Sequence, residues 1–219
     1  MNSFEIYKIL KNHFGTVGSW WPKDSPFEVI VGAILTQQST WTNVEKAIKN
    51  LKDKNTLDPS SIVNLPMDEL KILIKPSGFF NQKADRLKDM SQYIMDKYQG
   101  NIELFFNKNN KELRQELLGL KGVGLETADS IILYSAEKNE FVIDAYTKRI
   151  YSRLGLVKDT IDYESLKDYI TKDIPEELMI YQEFHGLLVL TGKNLCKKKD
   201  PKCIECPLNK KCKLAIENS

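Results

Sequence analysis

No run in this sequence approaches the roughly 18 consecutive apolar residues that a membrane-crossing helix requires, so a chain without membrane contact is expected. Charge of one sign is missing too. The 32 Lys and Arg against 30 Asp and Glu leave a formal net charge of +2, too little for the chain as a whole to attract a polyanion. The opening residues carry Glu5 and Lys8 and lack the unbroken apolar core of a secretion signal, which points to a cytoplasmic protein, or a nuclear one in a eukaryote. Cysteine does not occur before Cys196. Strand-like alternation is scarce, and there is no internal repeat, long linker or low-complexity tract, so repeat arrays are set aside.

What is present is helical periodicity. Phe4, Tyr7, Leu10 and Phe14 share one helical face, Val44, Ile48 and Leu51 another, and Leu87, Met90, Ile94 and Tyr98 a third. These stripes read as core. Residues 27–35 are too apolar for periodicity to separate helix from strand, and Pro66, Pro76 and Gly78 break residues 64–80 into short helices and a loop. Further helices are predicted over 113–118, 127–136, 147–154, 163–172 and 177–190. An apolar content of 42% over 219 residues suffices for a sizeable core. No Pro/Gly/Ser-rich seam divides it, so an all-α fold of two interleaved lobes is expected.

Chemistry concentrates first in Lys121-Gly122-Val123-Gly124, which precedes a predicted helix, and in Asp144 after the apolar residues 141–143. Two glycines let a backbone turn sharply and bare its amides at a helix N-terminus, where they can grip a phosphate without a cationic side chain. A carboxylate one helix later is placed to act on the nucleotide that owns the phosphate. The alternative for Asp144 is a buried structural carboxylate.

The second concentration is Cys196, Cys203, Cys206 and Cys212, spaced Cys-x6-Cys-x2-Cys-x5-Cys. Disulfides are disfavoured in a cytosolic setting. Four thiolates this close suit a metal centre of structural role, and the spacing alone leaves tetrahedral zinc and a [4Fe-4S] cluster equally open. Eight lysines surround them: Lys193, Lys197, Lys198 and Lys199, then Lys202, Lys210, Lys211 and Lys213. They form either a solvated face or a phosphate-contacting patch whose affinity depends on salt.

The glycine turn, the aspartate and the cysteine spacing together resemble the endonuclease III-like helix-hairpin-helix DNA glycosylases, and the resemblance covers nearly the whole chain. It implies a hairpin that contacts the DNA backbone through Lys121, Gly122, Val123 and Gly124, with Asp144 as the catalytic acid. The four cysteines would then bind a [4Fe-4S] cluster, which ranks above zinc. It further implies a two-lobe fold: a six-helix barrel domain over residues 22–136, and a helical domain from residues 1–21 and 137–219 that carries the cluster loop at 196–212. Double-stranded DNA containing a damaged base would enter the cleft between the lobes. The protein is expected to act as a monomer in the cytoplasm, associated with the nucleoid.

One departure bears on the reaction. Strand-cutting members place a lysine nucleophile just before the Thr-Ala that opens the second hairpin helix, where this sequence has Glu126. A carboxylate forms no Schiff base. The implied enzyme is monofunctional: it hydrolyses the N-glycosidic bond, leaves an abasic site, and uses water as the attacking species with Asp144 stabilising the sugar cation or orienting the water. The elements Trp20-Trp21-Pro22, Leu35-Thr36-Gln37, residues 76–84, Glu126 and Phe184-His185-Gly186 are similar to the 3-methyladenine DNA glycosylase III branch, of which a member lacks the four cysteines, so this chain resembles a cluster-retaining relative.

On that narrower likeness Trp20 and Trp41 sandwich a flipped alkylated purine and Trp21 walls the pocket. Indole faces suit a cationic base, with an attraction of about 0.5–2 kcal/mol. Gln37 would fill the gap left in the duplex and Phe79 would wedge the opposite strand. Core burial is the alternative for each Trp, and helix capping or core packing for Gln37 and Phe79. His185 reads as a buried hydrogen-bonding residue, not a catalytic one. Two other functions stay open: a mismatch or deaminated-base glycosylase acting on thymine, uracil or hypoxanthine, and a lesion-binding protein without turnover.

Overall fold

The computed structural model describes residues 1–17, 21 and 23–217, and it is helical throughout, with no strand among the described residues. In chain order the helices are α1 (Ser3–Phe14), α2 (Pro26–Thr36), α3 (Trp41–Asp53), α4 (Pro59–Asn64), α5 (Met67–Ile74) and α6 (Phe80–Tyr98). There follow α7 (Ile102–Phe106), α8 (Asn110–Leu118), α9 (Leu125–Ser130), α10 (Ala145–Arg153), α11 (Tyr163–Thr171), α12 (Leu178–Asn194) and α13 (Lys213–Glu217). No helix among the described residues is long and apolar enough to cross a membrane. The helix starts are written in short polar side chains. Asn2, Ser25, Asp58, Asn101, Asn109 and Asp162 each accept a hydrogen bond from the backbone amide three residues on.

The backbone divides into two compact units, residues 21–138 and residues 1–20 with 139–219. In the first, α2 is central. Its residues 27–35 are all buried, which is why no stripe distinguished helix from strand there; Ser25 capping and Pro26 at the first position start it as a helix. Helix α2 packs against α3, α6 and the turn Ile131–Ser135. That turn corrects the expected uniform helix over 127–136, because the chain leaves α9 at Ser130 and continues as a wider π-helical turn. Every residue from 127 to 135 is buried.

A polar knot closes the far side of this unit. Glu116 on α8 accepts from the hydroxyls of Tyr93 and Tyr98, from Lys97 at 3.0 Å and from Lys108 at 2.6 Å. Burial pushes its carboxyl up, but the hydrogen bonds from Lys108 and the two tyrosines, with that from Lys97, outweigh burial and hold it at about 2 against an ordinary 4.5. A depressed folded value means that the unfolded chain binds the proton first. The contribution is therefore complete above about 4.5 and lost as pH falls toward 2. Glu116→Gln is expected to lower the melting temperature at neutral pH and to flatten its decline in acid, a difference that thermal melts between pH 7 and pH 3 measure.

In the second unit α12 packs against α1 and α10. Tyr7 and Lys11 of α1 both donate to Glu183 of α12, the lysine at 2.7 Å. Phe141, almost fully buried, meets Tyr181 and Phe184 of α12 with ring centroids 5.4 and 5.8 Å away. The amide of Ile143 donates to the Tyr163 hydroxyl at 3.2 Å. These contacts fix the irregular segment that delivers Asp144.

Candidate functional site

Within residues 21–138 the hairpin runs from α8 through the glycine turn into α9. Gly122 has φ +80, the left-handed region that glycine enters without penalty. A Cβ added there would meet Arg86 Cδ at 2.5 Å and Cγ at 2.8 Å. Val123 is nearly buried, whereas Lys121, Gly124 and Glu126 are exposed. Gly124 caps α9 with no side-chain hydrogen bond, and a Cβ on it would meet nothing within 4 Å. Glu126 thus stands in the exposed first turn of α9.

Gln37 ends α2, and its amide is fully engaged within this unit. Nε2 donates to the Gly122 carbonyl and to Thr127 Oγ1, each at 2.9 Å, and Oε1 accepts from Arg86. The side chain fastens α2 to the hairpin, so entry into a duplex gap requires exchange of these bonds. Arg86 belongs to no motif in the sequence, and only the tertiary fold brings it between residues 49 and 36 positions away.

Phe79 is 59% exposed and has φ +46. With Gly78 at φ +69 it forms a left-handed step before α6, a costly conformation for an aromatic residue and one that holds the ring outward. Beneath the step Lys83, 1% exposed, donates to Ser77 O at 2.7 Å and Leu35 O at 2.8 Å. Burial, helped by the charge of Arg86, pushes the Lys83 amine down to about 8. Trp21 is buried and packs edge-on against Trp41, with centroids 5.2 Å apart and planes at 77°, and at a tilt against Tyr134. Trp41 is half-buried and donates from Nε1 to Glu45 at 2.8 Å. Trp20, expected to pair with Trp41, lies outside the described residues.

In the other unit Asp144 caps α10, Oδ1 accepting from the Thr147 amide at 2.7 Å. The carboxylate caps Asp58 and Asp162 do the same at the exposed surface. Asp144 differs from them in burial, its side chain being 11% exposed, and in its neighbour: Oδ2 lies 3.8 Å from Nε2 of the buried His185. Burial pushes the Asp144 carboxyl up, but His185 and the Thr147 amide outweigh it and hold it below the ordinary carboxylate range. The charged form of the acid is therefore favoured in spite of its burial.

All four cysteines are half-buried, and no disulfide joins them. Their loop is laced to α10 and α12. Arg149 donates to the carbonyls of Cys196 and Gly192, and Arg153 donates to Cys196 Sγ at 3.4 Å and to the carbonyls of Lys197 and Lys198. Burial pushes the thiols of Cys206 and Cys212 up, and the neighbouring cysteines push in the same direction. The four sulfurs thus share one electrostatic neighbourhood, although no three metal-ligating side chains converge on a point among the described residues. All eight lysines around them are exposed.

Residues 31–176, more than half of the chain, match the family described as HhH-GPD superfamily base excision DNA repair protein. A provisionally named DNA repair glycosylase of Methanocaldococcus jannaschii is 46% identical over 211 residues, which is 95% of this chain and 94% of that protein. The crystal structure of the Helicobacter pylori 3-methyladenine DNA glycosylase MagIII bound to 1,N6-ethenoadenine superposes with a TM-score of 0.78 at 31% identity, covering 88% of this chain and 98% of that one. A trapped endonuclease III–DNA covalent intermediate superposes with a TM-score of 0.86 at 24% identity, over 100% of this chain and 99% of the other.

Proposed function

Because the chain belongs to the HhH-GPD superfamily of base excision repair DNA glycosylases, we propose that it is a monofunctional member that releases alkylated purines of the 3-methyladenine type and leaves an abasic site. The observation that carries this reading is Glu126: the exposed first turn of α9 presents a carboxylate where strand cutting needs an amine. Similarity at 31% identity to a 3-methyladenine glycosylase supports the substrate class.

An N3-alkylated adenine is a cation, so its glycosidic bond breaks with the electron pair leaving on the base, which departs neutral without a general acid. Water adds to C1′ of the sugar cation and its proton passes to Asp144 or to solvent. Asp144, held ionised, opposes the positive charge that develops on the sugar. Trp41 offers π surface to the cationic base with Trp21 as the wall packed against it, Phe79 stands ready to enter a base stack, and the hairpin amides of residues 122–124 meet backbone phosphate. Residues 22–136 would make up the barrel domain, and residues 1–21 with 137–219 the second domain. Its loop at 196–212 supplies four thiols, the donor set of a [4Fe-4S] cluster. The cluster would be held by Cys196, Cys203, Cys206 and Cys212 and would brace the lysine-rich loop; the loop must draw its sulfurs together to bind it.

Duplexes each carrying one defined lesion test the reading, with free base and strand breaks scored separately before and after alkali. Release of 3-methyladenine with breaks only after alkali is expected. Breaks without alkali overturn the monofunctional assignment, release of thymine or uracil alone moves the substrate to mismatched or deaminated bases, and binding without release removes the enzyme.

A further inference from the structure

His185 is buried and sits on α12. Its distance from Asp144 is set by helix packing. Gly192 lies two turns further along α12 on the same face, and a Cβ there would fall 2.6 Å from Tyr146 Cβ and 2.7 Å from Cγ. Only glycine lets α10 and α12 approach this closely, and Arg149 of α10 donates to the Gly192 carbonyl at 3.0 Å. One helical face therefore carries both the spacer and the imidazole, and the spacing leaves Nε2 3.8 Å from Asp144 Oδ2.

The carboxylate is already pinned on one side, where Oδ1 takes the Thr147 amide. A single hydrogen bond leaves the carboxylate plane free to pivot and the second oxygen poorly stabilised away from water. A donor facing Oδ2 removes both defects. At 3.8 Å the two groups are at ion-pair range and just beyond a hydrogen bond, so a small rotation of either side chain joins them.

We infer that His185 is the positioning residue for Asp144: it does not touch the substrate, and it fixes the orientation and charge of the carboxylate through Oδ2. The inference rests on the reading of Asp144 as the acting acid.

The test uses duplex DNA methylated with dimethyl sulfate, single-turnover base release under saturating enzyme, and an independent affinity titration. His185→Ala is expected to slow release about 10–100-fold, the usual scale for loss of an orienting partner, with affinity within about twofold. His185→Gln, whose amide N–H can face the same oxygen, is expected to recover most of the rate. In the Asp144→Asn background the alanine variant is expected to add nothing. Melting temperatures of both His185 variants report whether each is folded. Release by folded His185→Ala at the wild-type rate, or His185→Gln as slow as His185→Ala, overturns the positioning role while an inactive Asp144→Asn keeps the acid in place. Undiminished release by Asp144→Asn overturns the acid itself, and the positioning role with it.

Discussion

Asp144→Asn is expected to bind lesion-bearing DNA as tightly as the wild type and to release base about 10²–10³-fold more slowly, the scale on which loss of one aimed charge or dipole slows a reaction that develops charge. The substitution separates the two tasks of this side chain. Asparagine is as good a helix cap as aspartate, so the bond from the Thr147 amide to the Oδ1 position and the start of α10 survive. What disappears is the negative charge on the second oxygen, the one that faces His185. A melting temperature near that of the wild type, with affinity retained and base release slowed on that scale, is the expected combination. Release at the wild-type rate would leave Asp144 as a buried cap and nothing more.

The second large effect is expected at a residue far from any reacting atom. Gly192→Ala places a methyl group 2.6 Å from the root of the Tyr146 side chain, where no distal rotation can relieve the overlap, so α10 and α12 must separate. Overpacking of this kind costs about 1–3 kcal/mol, and for a chain of this size each kcal/mol lowers the melting temperature by roughly 2–4 °C. The larger consequence concerns the acid, because the same separation draws His185 away from Asp144 and stretches the Arg149 bond to the Gly192 carbonyl. Thermal melts and single-turnover base release are expected to fall together. A variant that melts and reacts as the wild type would show that the two helices need no close approach.

Helix positions were legible where one face is wet. The stripes of α1, α3 and α6 appear in the sequence because the opposite sides of those helices carry lysines and acids. Residues 27–35 gave no such contrast because α2 is buried all round, and periodicity needs contrast. The π-helical widening after Ser130 has no local signal, since the same apolar residues would serve a plain α-helix. Motif residues could be named from spacing, but their partners could not. Gln37 draws on Arg86, Gly122 and Thr127, and Asp144 faces a histidine 41 positions away. Such pairings are decided by which helices pack together. Lys83 is the sharpest case: a lysine reads as surface, yet this one is buried because two carbonyls at the ends of neighbouring helices need a donor.

The nine-residue buried run from 127 to 135 has a consequence for how DNA can be held. From residue 127 onward the second hairpin helix has no free flank, so on the proposed reading its peptide dipoles meet a phosphate only at the tip. Dipoles displace few of the condensed cations around a duplex, whereas each lysine that neutralises a phosphate displaces close to one. Titrating affinity against salt therefore reads Lys121 and the lysines around the cysteine loop and is nearly blind to the hairpin amides. A substitution in the glycine turn weakens binding by a similar factor at every ionic strength, and removal of a lysine changes the slope.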